Sequence, residues 1–330
     1  MRNRNSVRVV LVILFAYAAL SVALGAFVAE ATLHPGRRPL LPGDEIQGQT
    51  VAQRYNSDLT NVLITASEGT TLRGWYFHPR GNNKRIVMLL HGLSDNRLGM
   101  IGYAEILLRR GFGVLLPDAR GHGASGGGVV TYGLLESADI HTWTRWIDEN
   151  QHPNCIFALG ESMGAAQLLQ SLDADSEFCA VVAESPFSSF REIAYDRVGQ
   201  FFRTGPWLGR TLLRPVIEAA FLYARWKYKL NFEQLSPEKM VATTNVPVLL
   251  IHGSNDSKTP IRHSRRIRAE NSNVSFWEVP DAEHCGAIST VPQQFEERLI
   301  SWFDGHSGGK HLLPGHLAQK AAIALPLGPA

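Results

Sequence analysis

Only three cysteines, Cys155, Cys179 and Cys285, occur in the 330 residues. They are too few and too unevenly spaced for a disulfide framework or a zinc site. An excess of one charge is also missing: 32 Lys+Arg against 30 Asp+Glu leave a net charge of +2. The basic residues fall in short, scattered clusters rather than the continuous stripe a nucleic acid requires, so no nucleic-acid partner is expected. No collagen-like, heptad or other internal repeat occurs. Neither a phosphate-loop motif nor a metal-ligand cluster is present, so the sequence implies no cofactor and no metal. With 45% apolar residues, disorder of the whole chain is excluded, and the length suits one large domain or two small ones.

What the sequence does have is one long uncharged run, Val9 to Ala29. As a helix rising about 1.5 Å per residue it reaches the thickness of a bilayer's hydrocarbon core. Arg2, Arg4 and Arg8 precede it and Glu30 follows, a bias that places the amino terminus inside and the remainder outside. Residues 1–31 are therefore read as a single-pass transmembrane anchor with the remainder of the chain extracytoplasmic. The alternatives are a cleaved secretory signal ending at Ala29-Glu30-Ala31, which would leave a secreted or periplasmic protein, and a buried core helix. Residues 32–54, with Pro35, Pro39, Pro42, Gly36, Gly43 and Gly48, read as a linker without periodicity. An anchor joined by such a linker is expected to be separable from the rest. Residues 305–330, with His306, His311 and His316 but no acidic or thiol companions, read as a flexible tail.

Between these ends, short apolar runs alternate with helical patterns. Strands are expected around Val62–Ile64, Trp75–Phe77, Ile86–Leu90, Gly113–Leu116, Cys155–Leu159, Ala180–Ala183, Val248–Ile251 and Val274–Trp277. Helices are expected around Ile101–Arg110, Glu136–Glu149 and Ala165–Leu172. Most of the strands are continuously apolar, as strands covered on both faces must be. The alternation predicts an α/β fold with a doubly wound, mostly parallel sheet. Cys155 and Cys179 each begin a strand, and adjacent strands would bring their backbones to about 5 Å, within disulfide range. The simpler reading is two small buried thiols.

In such a sheet the chemistry sits where strands end. Gly160-Glu161-Ser162-Met163-Gly164 follows a buried strand and precedes a helix. G-x-S-x-G is a weak signal alone, but this context is the one that projects a serine hydroxyl above the sheet. A serine nucleophile needs a base, and the base an orienting acid, in the chain order Ser, Asp, His. Asp256 follows the strand at Val248 and His284 follows the strand at Val274, so Ser162, Asp256 and His284 form the expected catalytic triad. Asp281 is the substitute acid, and His252, at a strand end before Gly253, is the rival base. The oxyanion donors are expected to be the backbone N–H groups of Met163 and of Leu93 in His91-Gly92-Leu93.

With those residues in view, the chain resembles the alpha/beta-hydrolase superfamily over about Val62 to Phe303. The resemblance rests on His91–Arg97, Asp118–Ser125, Gly160–Gly164, His252–Asp256 and His284. It is similar to the serine-aminopeptidase and monoacylglycerol-lipase-like branch, including members with an N-terminal membrane segment. This implies an alpha/beta-hydrolase domain over residues 55–304, and makes Asp118, Arg120 and His122 a structural loop.

The chain between the strands at Ala180 and Val248 is far longer than one crossover helix requires. It predicts a helical cap over about residues 187–240, rich in aromatics and with interleaved basic residues. Phe201, Phe202, Trp207 and Trp226 are expected to line an acyl tunnel there; the bland alternative is that the aromatics bury one another. The expected activity is that of a serine hydrolase acting on small acyl esters or thioesters with an apolar acyl part, lipids included. An aminopeptidase-like amidase and a non-catalytic binding module are the alternatives.

Overall fold

Eight strands form one sheet in the order β1-β2-β4-β3-β5-β6-β7-β8. They are β1 Ser57–Thr65, β2 Thr71–Pro79, β3 Arg85–Leu90, β4 Gly113–Pro117, β5 Cys155–Glu161, β6 Phe178–Glu184, β7 Val248–Gly253 and β8 Ser275–Val279. β1 with β2 and β2 with β4 pair antiparallel, and every other pairing is parallel. Seven of the eight apolar runs lie within these strands and the eighth, Val274–Trp277, starts one residue before β8, giving the expected doubly wound, mostly parallel sheet. The computed structural model describes residues 2–81, 84–173 and 176–308; His311, His316 and most of the expected tail lie outside them.

The helices are α1 Arg2–Leu33, α2 Pro42–Arg54, α3 Ile101–Arg109, α4 Glu136–Gln151, α5 Met163–Gln170, α6 Phe190–Phe201, α7 Trp207–Arg210, α8 Arg214–Tyr228, α9 Pro237–Thr243, α10 Arg262–Glu270, α11 Ala287–Thr290 and α12 Pro292–Gly305. The sheet's two faces build two cores. Val87 and Leu89 of β3 pack with Tyr103, Leu107, Phe157, Phe295 and Phe303 on one side. Ile86, Met88 and Leu90 pack with Trp143, Ile156, Leu168 and Leu172 on the other. A third cluster lies under the cap helices α6–α9, with Met163, Phe187, Phe190, Ile217, Phe221 and Phe232. Leu33 from the end of α1 belongs to it.

Two local expectations are corrected. The stretch read as a linker contains α2, because Pro42 sits in the first turn and Asp44 Oδ2 accepts from the Leu41 N–H at 2.7 Å. A proline costs nothing at a helix's first position, and an acid in the first turn interacts favourably with the positive end of the helix dipole. The helix is held by burial of Val51 and Ala52 against the sheet, which a search for a long apolar face misses. The second correction concerns Cys155 and Cys179, which are joined in a disulfide with Cα atoms 5.7 Å apart. Pairing of β5 with β6 steps from Ile156–Phe178 to Phe157–Ala180, leaving Cys179 as the extra residue of a bulge. That extra residue turns Cys179 toward the face that holds Cys155. Neighbouring strands alone gave the right backbone separation but not the side-chain direction, which the bulge supplies.

Candidate active site

The turn between β5 and α5 carries Ser162 in a backbone conformation that few residues adopt, φ 51° and ψ −111°. Its neighbours must be glycines. A Cβ on Gly164 would lie 2.3 Å from the Leu90 carbonyl oxygen, and one on Gly160 2.5 Å from the Gly164 oxygen. The turn is held by the Ser162 N–H, which donates to the Glu184 carbonyl at 2.8 Å.

Ser162 Oγ lies 2.8 Å from His284 Nε2, and His284 Nδ1 lies 2.8 Å from Asp256 Oδ2. Three strand ends, those of β5, β7 and β8, bring these side chains to one edge. Asp256 is also a turn-former: its Oδ1 accepts from the N–H groups of Lys258 (2.9 Å) and Thr259 (2.7 Å). Burial raises its pKa, but His252, His284 and the backbone donors outweigh burial and hold the carboxyl well below the usual range. It is therefore an anion at any working pH. Asp281 is exposed and makes no bond to His284; its N–H donates to Ser254 Oγ at 2.9 Å. His252 is fully buried, bonded through Nδ1 to Ser264 Oγ and through Nε2 to the Thr259 carbonyl, each at 2.7 Å. Its ring carries no free nitrogen for proton transfer. Cys285, beside His284, has its thiol pushed far up by burial and by the nearby Glu184 and Glu161, so it stays protonated and a poor nucleophile.

Met163 opens α5, so its N–H is one of the donors without an intrahelical acceptor, and Leu93 lies with Met163 and Ser162 in the wall of one cavity. The loop carrying Leu93 is fixed from beneath. The Ala119 N–H donates to His91 Nε2 and the Ser94 N–H to His122 Nε2, both at 3.1 Å.

A second Ser-His-Asp arrangement joins the cap to α10. Ser188 Oγ is 3.0 Å from His263 Nδ1, and His263 Nε2 is 2.7 Å from Asp196 Oδ2. All three side chains are buried. The Ser188 N–H also donates to Nδ1, at 3.1 Å, so this ring is a fastener between α6, α10 and the loop after β6. Triad geometry without access to substrate is structural.

The cavity over Ser162 measures about 430 Å³, within the usual range for ligand sites. Phe187, Phe190, Ile193, Ile217, Phe221 and Phe232 line it, and Arg197 is the one charged side chain among the described residues of its wall. Phe201, Phe202, Trp207 and Trp226 do not; they are exposed on the cap's outer surface. The helical period explains the correction. On α8 the inward residues are Ile217, Ala220, Phe221 and Ala224, and Trp226, two residues on, turns about 200° away from Ala224. On α6 Phe201 continues the inward stripe of Phe190, Ile193, Arg197 and Val198, but one turn past the cavity's end. Counting periodicity from Phe190 and Phe221 is the signal that finds the true lining.

Sequence reasoning also missed a buried acid pair under the nucleophile. Tyr103 Oη donates to Glu184 Oε2 at 2.9 Å and lies 3.5 Å from Glu161 Oε2. Burial, then Glu184 and Asp95, pushes the Glu161 carboxyl from 4.5 up to about 7. An acid whose folded pKa is raised gives its full stability below the unfolded value and loses it as pH climbs to the folded one. Stability should thus fall by about 3 kcal/mol between pH 4.5 and 7 through this group. Glu161→Gln, neutral throughout, is expected to match the native melting temperature at pH 5 and exceed it at pH 8 by roughly 5–10 °C. Equal differences at both pH values in thermal melts would contradict that.

Three comparisons bear on the arrangement. The serine aminopeptidase (S33) family matches residues 81–235. The uncharacterized protein YqkD of Bacillus subtilis is 24% identical over 249 residues, covering 74% of this chain and 79% of that one. The thermostable monoacylglycerol lipase of Bacillus sp. H-257 is 29% identical over 234 residues, 67% of this chain and 91% of that protein. Among solved structures, the Pyrococcus furiosus esterase Pf2001 superposes with a TM-score of 0.64 at 24% identity, covering 84% of this chain and 98% of that one.

Proposed function

We propose that this chain, which has the alpha/beta-hydrolase fold and is similar to the serine aminopeptidase (S33) family and to a monoacylglycerol lipase, is a serine hydrolase cleaving carboxylic esters or thioesters with an apolar acyl part. The observation that carries this reading is the unbroken Ser162–His284–Asp256 chain opening into an apolar cavity. Ser162 Oγ attacks the acyl carbon while His284 Nε2 takes its proton. Asp256 holds the His284 Nδ1–H and stabilises the imidazolium. The Leu93 and Met163 N–H groups receive the oxyanion. His284 then returns the proton to the departing alcohol or thiol, and a water activated by the same ring releases the acid and regenerates Ser162.

The amidase alternative needs a group that recognises a free amine. Among the described residues the lining supplies no carboxylate for that purpose and its one charge is the Arg197 cation, which supports the ester reading. A non-catalytic binding module has no use for a strained serine aligned with a base. Hydrolysis of p-nitrophenyl esters of rising chain length, beside an aminoacyl arylamide, tests the choice. kcat/KM is expected to rise up to about fourfold per methylene and then level off. A flat profile from acetate to octanoate, or preference for the arylamide over every ester, would overturn it.

The domain division is likewise a proposal: anchor, α2-bearing connection, hydrolase domain with cap, and tail. The helix α1 presents Val9, Val10, Leu11, Val12, Ile13, Leu14 and Phe15 outward on all sides, and its length and composition suit a membrane span or a signal. We place the hydrolase domain outside the cytoplasm. The Cys155–Cys179 disulfide supports an oxidising compartment, as does the arginine-rich start before the apolar run.

A further inference from the structure

An anchor separable from its enzyme would touch it only through a tether. Here the second half of α1 is joined to the cap along its length. Tyr17 Oη donates to the Leu212 carbonyl. At Gly25 a Cβ would lie 2.6 Å from Ala219 Cβ and 2.7 Å from the Val216 oxygen, so only glycine permits α1 and α8 to approach this closely. The Glu30 carboxylate accepts from Tyr223 Oη at 2.6 Å and Tyr228 Oη at 2.8 Å, and pairs with Lys227 at 2.7 Å. Beyond it, Tyr132 Oη donates to the Thr32 carbonyl and the Val130 N–H to the Leu33 carbonyl, both at 2.9 Å. The result is that Phe27, Val28, Ala31, Thr32 and Leu33 line the cavity that contains Ser162.

We infer that residues 27–33 of the N-terminal helix are a wall of the acyl site, so that the membrane anchor itself sets which acyl chains are accepted. This rests on the serine hydrolase reading above and adds to it a specificity element outside the hydrolase domain. The opposing wall comes from Ile193, Ile217 and Phe221, so an acyl chain in the cavity lies between anchor and cap. Every methylene that leaves water there multiplies transition-state binding by about four, and a bulky residue on either wall removes that contribution. Ala31 is exposed over part of its surface, so a larger side chain there fills cavity space without breaking the α1–α8 seam. Signal cleavage after Ala31 would remove Phe27, Val28 and Ala31 from the wall, which makes a retained helix part of the inference.

The test uses the full-length chain in detergent micelles, with two readouts. Ala31→Phe is expected to lower kcat/KM for p-nitrophenyl octanoate about tenfold, the value of one to two displaced methylenes, with acetate within twofold. It is also expected to weaken binding of a pyrene-labelled fatty acid about tenfold. Leu20→Phe, on the same helix and outside the cavity, should change neither. If esters turn over but Ala31→Phe leaves both the chain-length profile and pyrene-acid binding unchanged, the wall is refuted and the hydrolase reading stands. An equal loss on acetate and octanoate, or the same effect from Leu20→Phe, also refutes it. If the native chain hydrolyses no ester and takes no fluorophosphonate, yet Ala31→Phe still weakens the pyrene acid, the hydrolase reading falls and the wall stands. Absence of both turnover and binding in the native chain overturns both.

Discussion

Ser162→Ala is expected to reduce kcat for a preferred p-nitrophenyl ester by about a million-fold and to abolish labelling by a fluorophosphonate probe. The melting temperature should stay within about 2 °C, since the substitution removes one hydroxyl from a half-buried position in the cavity wall. His284→Ala should cost as much, because nucleophile and base act as a unit. Asp256→Asn should cost about ten-thousand-fold: the ring then loses the anion that selects its tautomer. Asp281→Asn should be silent, as the Asp281 side chain is exposed and His284 Nδ1 is taken by Asp256 at 2.8 Å. The molecule holds its own control in Ser188. That serine has the same hydrogen-bonded geometry toward His263 and Asp196, at 3.0 and 2.7 Å, but it is buried and should take no probe. Peptide mapping of the labelled protein decides the matter. Label on Ser188, or full activity in Ser162→Ala, would remove the assignment of the nucleophile.

How far this site was legible in the sequence depends on which physical signal carried each part. The eight apolar runs were enough for the strands, because a strand covered on both faces is apolar throughout and short. The order Ser162, Asp256, His284 followed from where those strands end. The cap lining was not legible in the same way. Phe201, Phe202, Trp207 and Trp226 were chosen as large aromatics in a long insert, whereas Phe190 with Ile193, and Ile217 with Phe221, show the three- and four-residue spacing of an inward helix face. The α1 wall was hidden for another reason. An uncharged run is read against a bilayer, and nothing within that run announces that Gly25 fits against Ala219 or that Glu30 is bonded by two tyrosines. Glu161 escaped because a glutamate in the variable position of G-x-S-x-G carries no information until burial beside Glu184 and Tyr103 is known.

Asp118→Ala is expected to be the most destabilising single change in the structural loop, by about 3–5 kcal/mol, a fall in melting temperature of roughly 10 °C or more. Asp118 is fully buried and binds three donors: Arg97 Nη2 at 2.7 Å, the Arg97 N–H at 2.8 Å and the Ala124 N–H at 2.6 Å. Burial raises its pKa, but Arg97 and those backbone donors outweigh it and hold the carboxyl below its ordinary value. Removing the carboxylate strands the Arg97 guanidinium, itself buried and stacked 5.3 Å from the Trp75 ring centre. An unpaired buried cation is the large cost. Asp118→Leu combined with Arg97→Met should therefore be milder than Asp118→Ala alone. A depressed carboxyl pKa contributes stability that is present above the unfolded value of about 3.9 and lost as pH falls, so the gap between native and variant should narrow below pH 4. Activity should suffer through a separate route. The loop that Asp118 begins supplies the Ala119 N–H to His91 and the His122 ring to the Ser94 N–H, and those contacts hold the turn that presents the Leu93 N–H. Loss of one oxyanion donor lowers kcat by about a hundredfold or more, so at a temperature where the variant remains folded kcat should fall far more than KM rises. Calorimetry and steady-state kinetics on the same samples check both halves; a variant melting within 2 °C of the native chain would show that the buried pair contributes nothing, and an unchanged kcat would separate the loop from the oxyanion site.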